Sequence, residues 1–532
     1  MTSDWMGTLE QGGNVLRLLV DIRQAADGGL DGAMDNLDVG RMDIPIAVVM
    51  FQKAFMRFNA WTIDGSYEGG IARDGQTIEG TWRMGDDVRP LVLCRIKPSH
   101  IDGIWAATLS HQSLRLRLVF YIANSPGGLI ATMKSCDQSD AIVRMSSVKL
   151  IGRAIVLEAD GIGARFDGEA DHEFRTIEGT WTQGGLGLPL SLKRTMQEEE
   201  LKPGRPQEPL PPYPYRESEV AYRNESAGVA LSGTLTLPEG EGPFPAVLLI
   251  AGSGAQDRDE TMYGHRPFLV LADWLTRHGI AVLRTDKRGV GESGGDYSTA
   301  TTADFATDGE AGVTYLETHP EVDRGKIGLV GHSEGGLIAC MLAARNRNVA
   351  FIVLMAAPGV TGWELAGRQA RRSAELHGFN REEAEQRNKD VAALLLNEKD
   401  EAILRHKLAQ MFSHLAEPQR SATVESLALP WQRHMVGVNP ADYLERVKCP
   451  VLALNGENDV TVEPTSNLAA IRQALDSGGN GNFEVTELPG LNHLFQTCAT
   501  SSGTEYGQIE ETLSPATLEK MVEWIGRRVG VS

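Results

Sequence analysis

The sequence predicts two architectures in one chain: an all-β N-terminal part made of two homologous units, and a C-terminal α/β part with a largely parallel sheet. Three observations carry this. A segment of the N-terminal third recurs 99 residues later, a Pro-rich stretch follows it, and from Glu219 onward short aliphatic strands alternate with amphipathic helices. The length of 532 residues fits two to four domains at roughly 100 to 200 residues each.

In the repeat, Ile78-Glu79-Gly80-Thr81-Trp82 returns as Ile177-Glu178-Gly179-Thr180-Trp181, and Pro90-Leu91 with Arg95 returns as Pro189-Leu190 with Arg194. Upstream, Gly28-Gly29-Leu30, Met34 and Asp38 match Gly127-Gly128-Leu129, Met133 and Asp137. The units are assigned to residues 1–100 and 101–197. Leu114-Arg115-Leu116-Arg117-Leu118 alternates with period two, and Asp74-Gly75 and Pro126-Gly127-Gly128 supply turns. Each unit is therefore expected to be a β-meander that closes into a small barrel or packs on its twin, burying Trp82 and Trp181. Sugar stacking on those tryptophans is the competing reading, and core packing is preferred. The stretch Lys202 to Pro214, with six prolines, reads as a semi-rigid linker over 198–216.

The α/β part spans 217–532. Strands are expected at Val229–Leu237, Ala246–Ala251, Ile280–Thr285, Ile327–Val330, Phe351–Met355, Val451–Leu454 and Phe483–Leu488, with helices at Pro267–His278, Ala303–Thr318 and Gly335–Arg345 between them. From about 359 to 447 the pattern is helical and rich in Arg, Glu and Leu. A helical insertion between two parallel strands suggests a cap over the carboxyl edge of the sheet, where such folds bind ligands.

Composition excludes several functions. Hydrophobic residues are 42% and charged residues 23%, which is ordinary globular usage. With 51 Lys plus Arg against 71 Asp plus Glu, the net charge of −20 disfavours nucleic acid and anionic lipid. The five cysteines, Cys94, Cys136, Cys340, Cys449 and Cys498, form no CxxC, so neither a disulfide framework nor a metal cluster is expected. No apolar run approaches the roughly 18 residues of a membrane span. The start Met1-Thr2-Ser3-Asp4-Trp5 lacks the features of a secretory signal, so the chain as given is expected in the cytosol, and outside it if a leader has been removed.

Gly331-His332-Ser333-Glu334-Gly335 matches GxSxG, a strand-to-helix elbow that exposes a serine hydroxyl. Gly291-Glu292-Ser293-Gly294-Gly295 matches too, but no helix directly follows it, so it reads as a loop. The same absence disfavours a dinucleotide site at Gly289, Gly291 and Gly294. A serine nucleophile needs a histidine base and an acid to orient that base, and in elbow folds both follow the serine, acid first. Of five histidines beyond Ser333, His377, His406, His414 and His434 fall in the insertion, leaving His493 in the loop after the last strand. Between the insertion and His493 the aspartates are Asp459, in a loop after a strand, and Asp476, at a helix end. Asp459 is the expected acid, with Glu457 its competitor. The oxyanion hole is expected from the backbone N–H of Glu334 and of Ser253, with Gly254 as the alternative. The Glu334 side chain is read as a helix-N1 acid favoured by the dipole in preference to a salt-bridge partner in the cleft. Trp431 in the insertion and Tyr506 after His493 are candidate substrate-binding residues.

Together, Asp286-Lys287-Arg288-Gly289-Val290-Gly291-Glu292-Ser293, Gly331 to Gly335, Asn455 to Asp459 and Leu491-Asn492-His493-Leu494-Phe495 resemble the α/β-hydrolase superfamily, specifically bacterial serine esterases near the serine-aminopeptidase and acyl-thioesterase branches. Ala251 to Asp259 is similar to the oxyanion loop of that branch. The resemblance covers about Glu219 to Val529, and the repeat looks like a β module that some bacterial members carry. It implies a carboxylic ester hydrolase working through an acyl-enzyme, with a small-molecule ester as substrate and no metal or organic cofactor. A homo-oligomer stays open. The alternatives are an aminopeptidase, amidase or thioesterase, and a β module that delivers the enzyme to a polymer or partner.

Overall fold

The computed structural model describes residues 3–531 apart from 12, 13, 25–29, 39, 40, 53, 64, 86, 98, 112, 113, 138–141, 196–203, 378, 379, 416, 418 and 500–502. Gly28 and Gly29 of the repeat and positions 198–203 of the expected linker lie outside the described residues. The chain divides into two compact units, Met1–Lys202 and Pro203–Ser532.

The first unit realises the repeat strand by strand. β1 (Ser3–Gln11), β2 (Asn14–Gln24), β3 (Leu30–Asn36), β4 (Arg41–Gln52), β5 (Phe55–Ala60), β6 (Gly65–Ile71), β7 (Thr77–Met84) and β8 (Asp87–Ile96) form a closed antiparallel barrel. The second copy comprises β9 (Gly103–His111), β10 (Leu114–Ser125), β11 (Gly128–Ser135), β12 (Ile142–Arg144), β13 (Ser147–Ile151), β14 (Ala154–Ala159), β15 (Ala164–Ala170), β16 (Thr176–Gln183) and β17 (Leu186–Thr195) in one nine-stranded sheet. Its β12 and β13 stand where the first copy has the single strand β4. The shared motif has a packing reason. Gly80 pairs with Gly69, and a Cβ on Gly80 would sit 2.3 Å from the Glu68 carbonyl oxygen; Gly179 pairs with Gly168, with the same 2.3 Å clearance to Asp167. Trp82 and Trp181 are buried against Phe58 and Phe120, so both are core residues. Each copy also buries one aspartate under an arginine: Asp38 accepts from the backbone N–H and guanidinium of Arg17, and Asp137 from those of Arg117. Met6, Leu37, Ile96, Val119, Tyr121 and Ala123 form a further apolar cluster that joins the two copies.

The second unit is built on an eight-stranded sheet in the order β18 (Arg216–Asn224), β19 (Val229–Leu237), β21 (Ala281–Thr285), β20 (Phe244–Ile250), β22 (Val322–His332), β23 (Phe351–Met355), β24 (Val451–Gly456), β25 (Phe483–Leu488). The first three are antiparallel neighbours and the rest run parallel. This is the α/β-hydrolase fold. Ala246, Leu248 and Ile250 enter one core and Val247 and Leu249 the other, because helices cover both faces of the sheet. β18 is an addition to the expected strands: it is an edge strand whose residues are mostly exposed, so it carries no apolar run to reveal it.

Helices α1 (Pro267–Arg277), α2 (Thr302–Thr318) and α3 (Glu334–Ala343) follow the early strands, and α10 (Pro464–Ser477) and α11 (Pro515–Val529) the late ones. Between β23 and β24 lie α4 (Gly362–His377), α5 (Arg381–Asn397), α6 (Glu401–Met411), α7 (Gln419–Ala428), α8 (Pro430–Gly437) and α9 (Ala441–Leu444). The insertion has its own small core of Val391, Leu395, Leu404, Leu408, Val424 and Val436. No helix among the described residues is long and apolar enough to cross a membrane.

The Pro-rich stretch is less of a free spacer than its composition suggests. The Arg205 guanidinium donates to the carbonyls of Gly264, Ile509, Tyr263 and Gly507, and the Gln207 side chain bonds the backbone of Thr512 and Leu513. Residues from Arg205 on are thus part of the α/β unit, held by polar contacts that composition cannot signal.

Candidate active site

Ser333 stands between β22 and α3 with φ 53° and ψ −119°, a left-handed conformation that costs a non-glycine residue on the order of 1–3 kcal/mol. Its N–H donates to the Met355 carbonyl at 2.8 Å, and its own carbonyl accepts from Gly336 at 3.0 Å. The flanking glycines are required by close approach: a Cβ on Gly331 would lie 2.1 Å from the Gly335 carbonyl oxygen, and one on Gly335 would lie 1.9 Å from that of Ile250. The motif therefore forms an elbow at the carboxyl edge of the sheet.

His493, in the loop after β25, presents Nδ1 to Asp459 Oδ2 at 2.7 Å, and both residues are buried. The other carboxylate oxygen of Asp459 accepts the backbone N–H groups of Thr461 and Val462, each at 2.8 Å, so the acid is held in one orientation. With Nδ1–H committed to Asp459, Nε2 is the basic nitrogen. Glu457 is exposed and accepts from the Gly490 N–H at 2.9 Å, away from the imidazole.

The loop after β20 lies against the elbow. A Cβ placed on Gly252 would be 3.2 Å from Ser333 Cβ. The Gly252 N–H is already spent on Glu260 Oε1 at 2.5 Å, while Ser253 is exposed and Gly254 has φ 101°. Glu260 also faces His332 Nδ1 at 3.0 Å, and His332 Nε2–H donates to the His493 carbonyl at 3.1 Å. Both ring nitrogens thus face acceptors, which suits an imidazolium. Burial pushes the His332 pKa down, but the charge and hydrogen bond of Glu260, the His493 carbonyl and the Asp459 charge together outweigh it, and it lies above the ordinary value.

The Glu334 side chain corrects the sequence reading. It is buried and accepts from Thr302 Oγ1 at 2.7 Å, Trp431 Nε1 at 2.6 Å and Lys287 Nζ at 3.2 Å, so it is a salt-bridge partner in the cleft and more than a helix-N1 acid. Trp431, on α8, is half-buried and ties the insertion to the residue after Ser333. Tyr506 is buried with its ring edge-on to Tyr263 and its carbonyl accepting from His265, which makes it part of the wall behind the loop. A cleft of about 680 Å³ opens beside Asp459, between its loop and α4 and α5 of the insertion. Among the described residues no group of three or more His, Cys, Asp or Glu could hold a metal ion. Glu260 and Lys287 escaped the sequence reading. Each sits in a run of charges, Asp257-Arg258-Asp259-Glu260 and Asp286-Lys287-Arg288, that reads as surface until burial is known.

Comparison with known proteins agrees in outline. Residues 227–480 match the X-Pro dipeptidyl-peptidase (S15) family. The esterase EstD of Thermotoga maritima is 36% identical over 128 residues, which is 24% of this chain and 30% of EstD. The chain thus spans less than a third of that relative. A 31.7 kDa protein of uncharacterised function from Escherichia coli is 27% identical over 274 residues, 49% of this chain and 88% of that protein. Among solved structures, an esterase of Pyrococcus furiosus has 18% identity and a TM-score of 0.39, covering 59% of this chain and 91% of its own. An α/β hydrolase from Penicillium sp. sh18 has 17% identity and a TM-score of 0.40, covering 59% and 99%.

Proposed function

From the α/β-hydrolase fold of the C-terminal unit, we propose that this protein is a serine carboxylic ester hydrolase acting through an acyl-enzyme. Ser333 Oγ attacks the ester carbonyl as His493 Nε2 takes its proton, and the protonated imidazole is stabilised by Asp459. The negative charge on the carbonyl oxygen is received by the N–H groups of Glu334 and Ser253, with Gly254 as the alternative to Ser253. Collapse expels the alcohol, which takes the proton from His493, and water then repeats the cycle on the acyl-enzyme. The observation that carries this reading is the buried 2.7 Å contact of His493 with Asp459, on loops at the same sheet edge as the strained Ser333.

The S15 family match favours a second reading, cleavage of an amide bond by the same groups. The 36% match to EstD over 128 residues supports the ester. A panel of p-nitrophenyl esters of increasing chain length, set beside aminoacyl and X-Pro p-nitroanilides, tests both. The expected outcome is turnover of short esters well above any anilide, lost in Ser333→Ala. Equal ester turnover in the wild type and Ser333→Ala sinks the assignment, and anilide turnover above ester turnover moves it to a peptidase.

A further inference from the structure

The Ser253 N–H belongs to the peptide plane that also carries the Gly252 carbonyl. In a planar trans peptide the C=O and N–H point to opposite sides, so whatever fixes the carbonyl fixes the direction of the N–H. The Gly252 carbonyl accepts from Lys287 Nζ at 2.5 Å, and the N–H of the preceding plane is held by Glu260 at 2.5 Å. The loop is therefore pinned from both sides where it touches Ser333.

Lys287 is an unusual residue to find there. Its side chain is only 7% exposed, and a buried ammonium is costly unless every contact compensates it. The compensation comes from the Glu334 carboxylate at 3.2 Å, the Gly252 carbonyl, and the face of Phe305, whose centroid is 4.5 Å from Nζ. Thr302 and Trp431 both donate to Glu334 Oε1, and Lys287 reaches Oε2, so the lysine completes the carboxylate while also holding the loop. The contact that no other described side chain makes is the one to the Gly252 carbonyl.

We propose that Lys287 is a positioning residue of the oxyanion hole, holding the Gly252 carbonyl so that the Ser253 N–H faces the reacting carbonyl oxygen. The inference rests on the ester-hydrolase reading above. A cation behind the peptide carbonyl also polarises the amide, strengthening its N–H as a donor while charge builds in front of it. The same ammonium touches the side chain of Glu334, whose backbone N–H is the other donor. One buried charge thus stands behind both.

The rival account is that Lys287 only neutralises Glu334. Lys287→Met combined with Glu334→Gln removes both charges and is compared with Glu334→Gln alone, so that neutralisation is no longer an issue. The expected result is a kcat about 100-fold below that of the single variant with KM changed by less than about threefold. The diagnostic readout is the rate ratio of an oxo ester to its thiono ester, because a preorganised hole favours oxygen over the larger, weaker acceptor sulfur. That ratio is expected to fall about tenfold. Lys287→Arg, which keeps the cation but presents its donors on a planar fork, is expected to fold and to lower the ratio about threefold. A double variant within about threefold of Glu334→Gln, or a wild-type ratio in folded Lys287→Arg, overturns the proposal. Ser333→Ala measured alongside separates the two failures: activity surviving there removes the hydrolase reading itself, whereas activity lost there with an unchanged ratio removes only the role of Lys287.

Discussion

Two loops of the α/β unit carry the same five-residue pattern, and they do opposite things with the serine. At Gly331–Gly335 the serine is forced to φ 53° between a strand and a helix. At Gly291–Gly295 the Ser293 hydroxyl is buried, donates to the Asp286 carbonyl at 2.8 Å and accepts from the Ser232 N–H at 2.9 Å, and the next helix begins only at Thr302. The glycines differ in the same way. Those of the elbow would bring a Cβ to about 2 Å from main-chain atoms, whereas in the second loop a Cβ meets side chains, the Asp286 carboxylate at 2.5 Å from Gly291 and Val229 at 3.2 Å from Gly295. The pattern alone therefore does not make a nucleophile. In the proposed mechanism the nucleophile comes from the strand and helix that strain the turn and from a hydroxyl left for a base.

The largest way to break the comparison is to keep both serines and remove what the proposed mechanism gives to Ser333 alone, a histidine held by an acid. Asp459→Asn preserves the shape but presents an amide to His493 Nδ1, favouring the wrong tautomer. The loss of kcat expected for such a change is about 10³–10⁴-fold. Glu457→Gln, which touches only the Gly490 N–H, is expected to stay within about threefold of wild type by the small worth of an exposed contact. Steady-state kinetics on one p-nitrophenyl ester decide it; similar losses in the two variants would place the acid at the wrong carboxylate.

The residue before each serine sharpens the contrast further. Glu292 is exposed and pairs with Arg258, whereas His332 is enclosed between Glu260 and the carbonyl of His493. His332 has its folded pKa raised above the unfolded one. The stability this contributes is fully present below about pH 6.5, the ordinary imidazole value, and is lost as pH rises through the raised pKa. Glu260→Gln is therefore expected to lower stability by about 2 kcal/mol at pH 6, and the gap in Tm from wild type narrows on going to pH 9. A gap that does not narrow between pH 6 and pH 9 would show that no imidazolium of His332 is paired with Glu260 in the folded protein.

What the sequence made legible follows the same division. Phe351–Met355 and Phe483–Leu488 coincide with their strands, and the loop positions of Asp459 and His493 could be read because apolar periodicity marks where strands stop. The repeat was legible to the level of β-strands, although not that the first copy closes while the second stays a nine-stranded sheet with β4 split in two. Buried polar contacts were not legible. Lys287 with Gly252, Glu260 with His332 and Arg205 with four carbonyls join residues 35, 72 and 58 to 304 positions apart, and charge runs look solvated in one dimension.

The smallest expected effect on turnover is the one that tests the opening contrast most directly. Ser293→Ala removes a hydroxyl that closes two buried hydrogen bonds inside the loop, leaving the Ser232 N–H and the Asp286 carbonyl without that partner. An orphaned buried group costs about 1–3 kcal/mol, so the thermal midpoint should fall by several degrees. Activity per folded molecule should nevertheless remain within about twofold, because Ser293 Oγ already donates to the Asp286 carbonyl and has no base to receive its proton. Fluorophosphonate labelling completes the test, since the label is expected on the peptide containing Ser333 in both wild type and Ser293→Ala. Label on Ser293, or a kcat that collapses while the protein stays folded, would mean that the second loop supplies a reacting group and that the strained turn does not by itself distinguish the two serines.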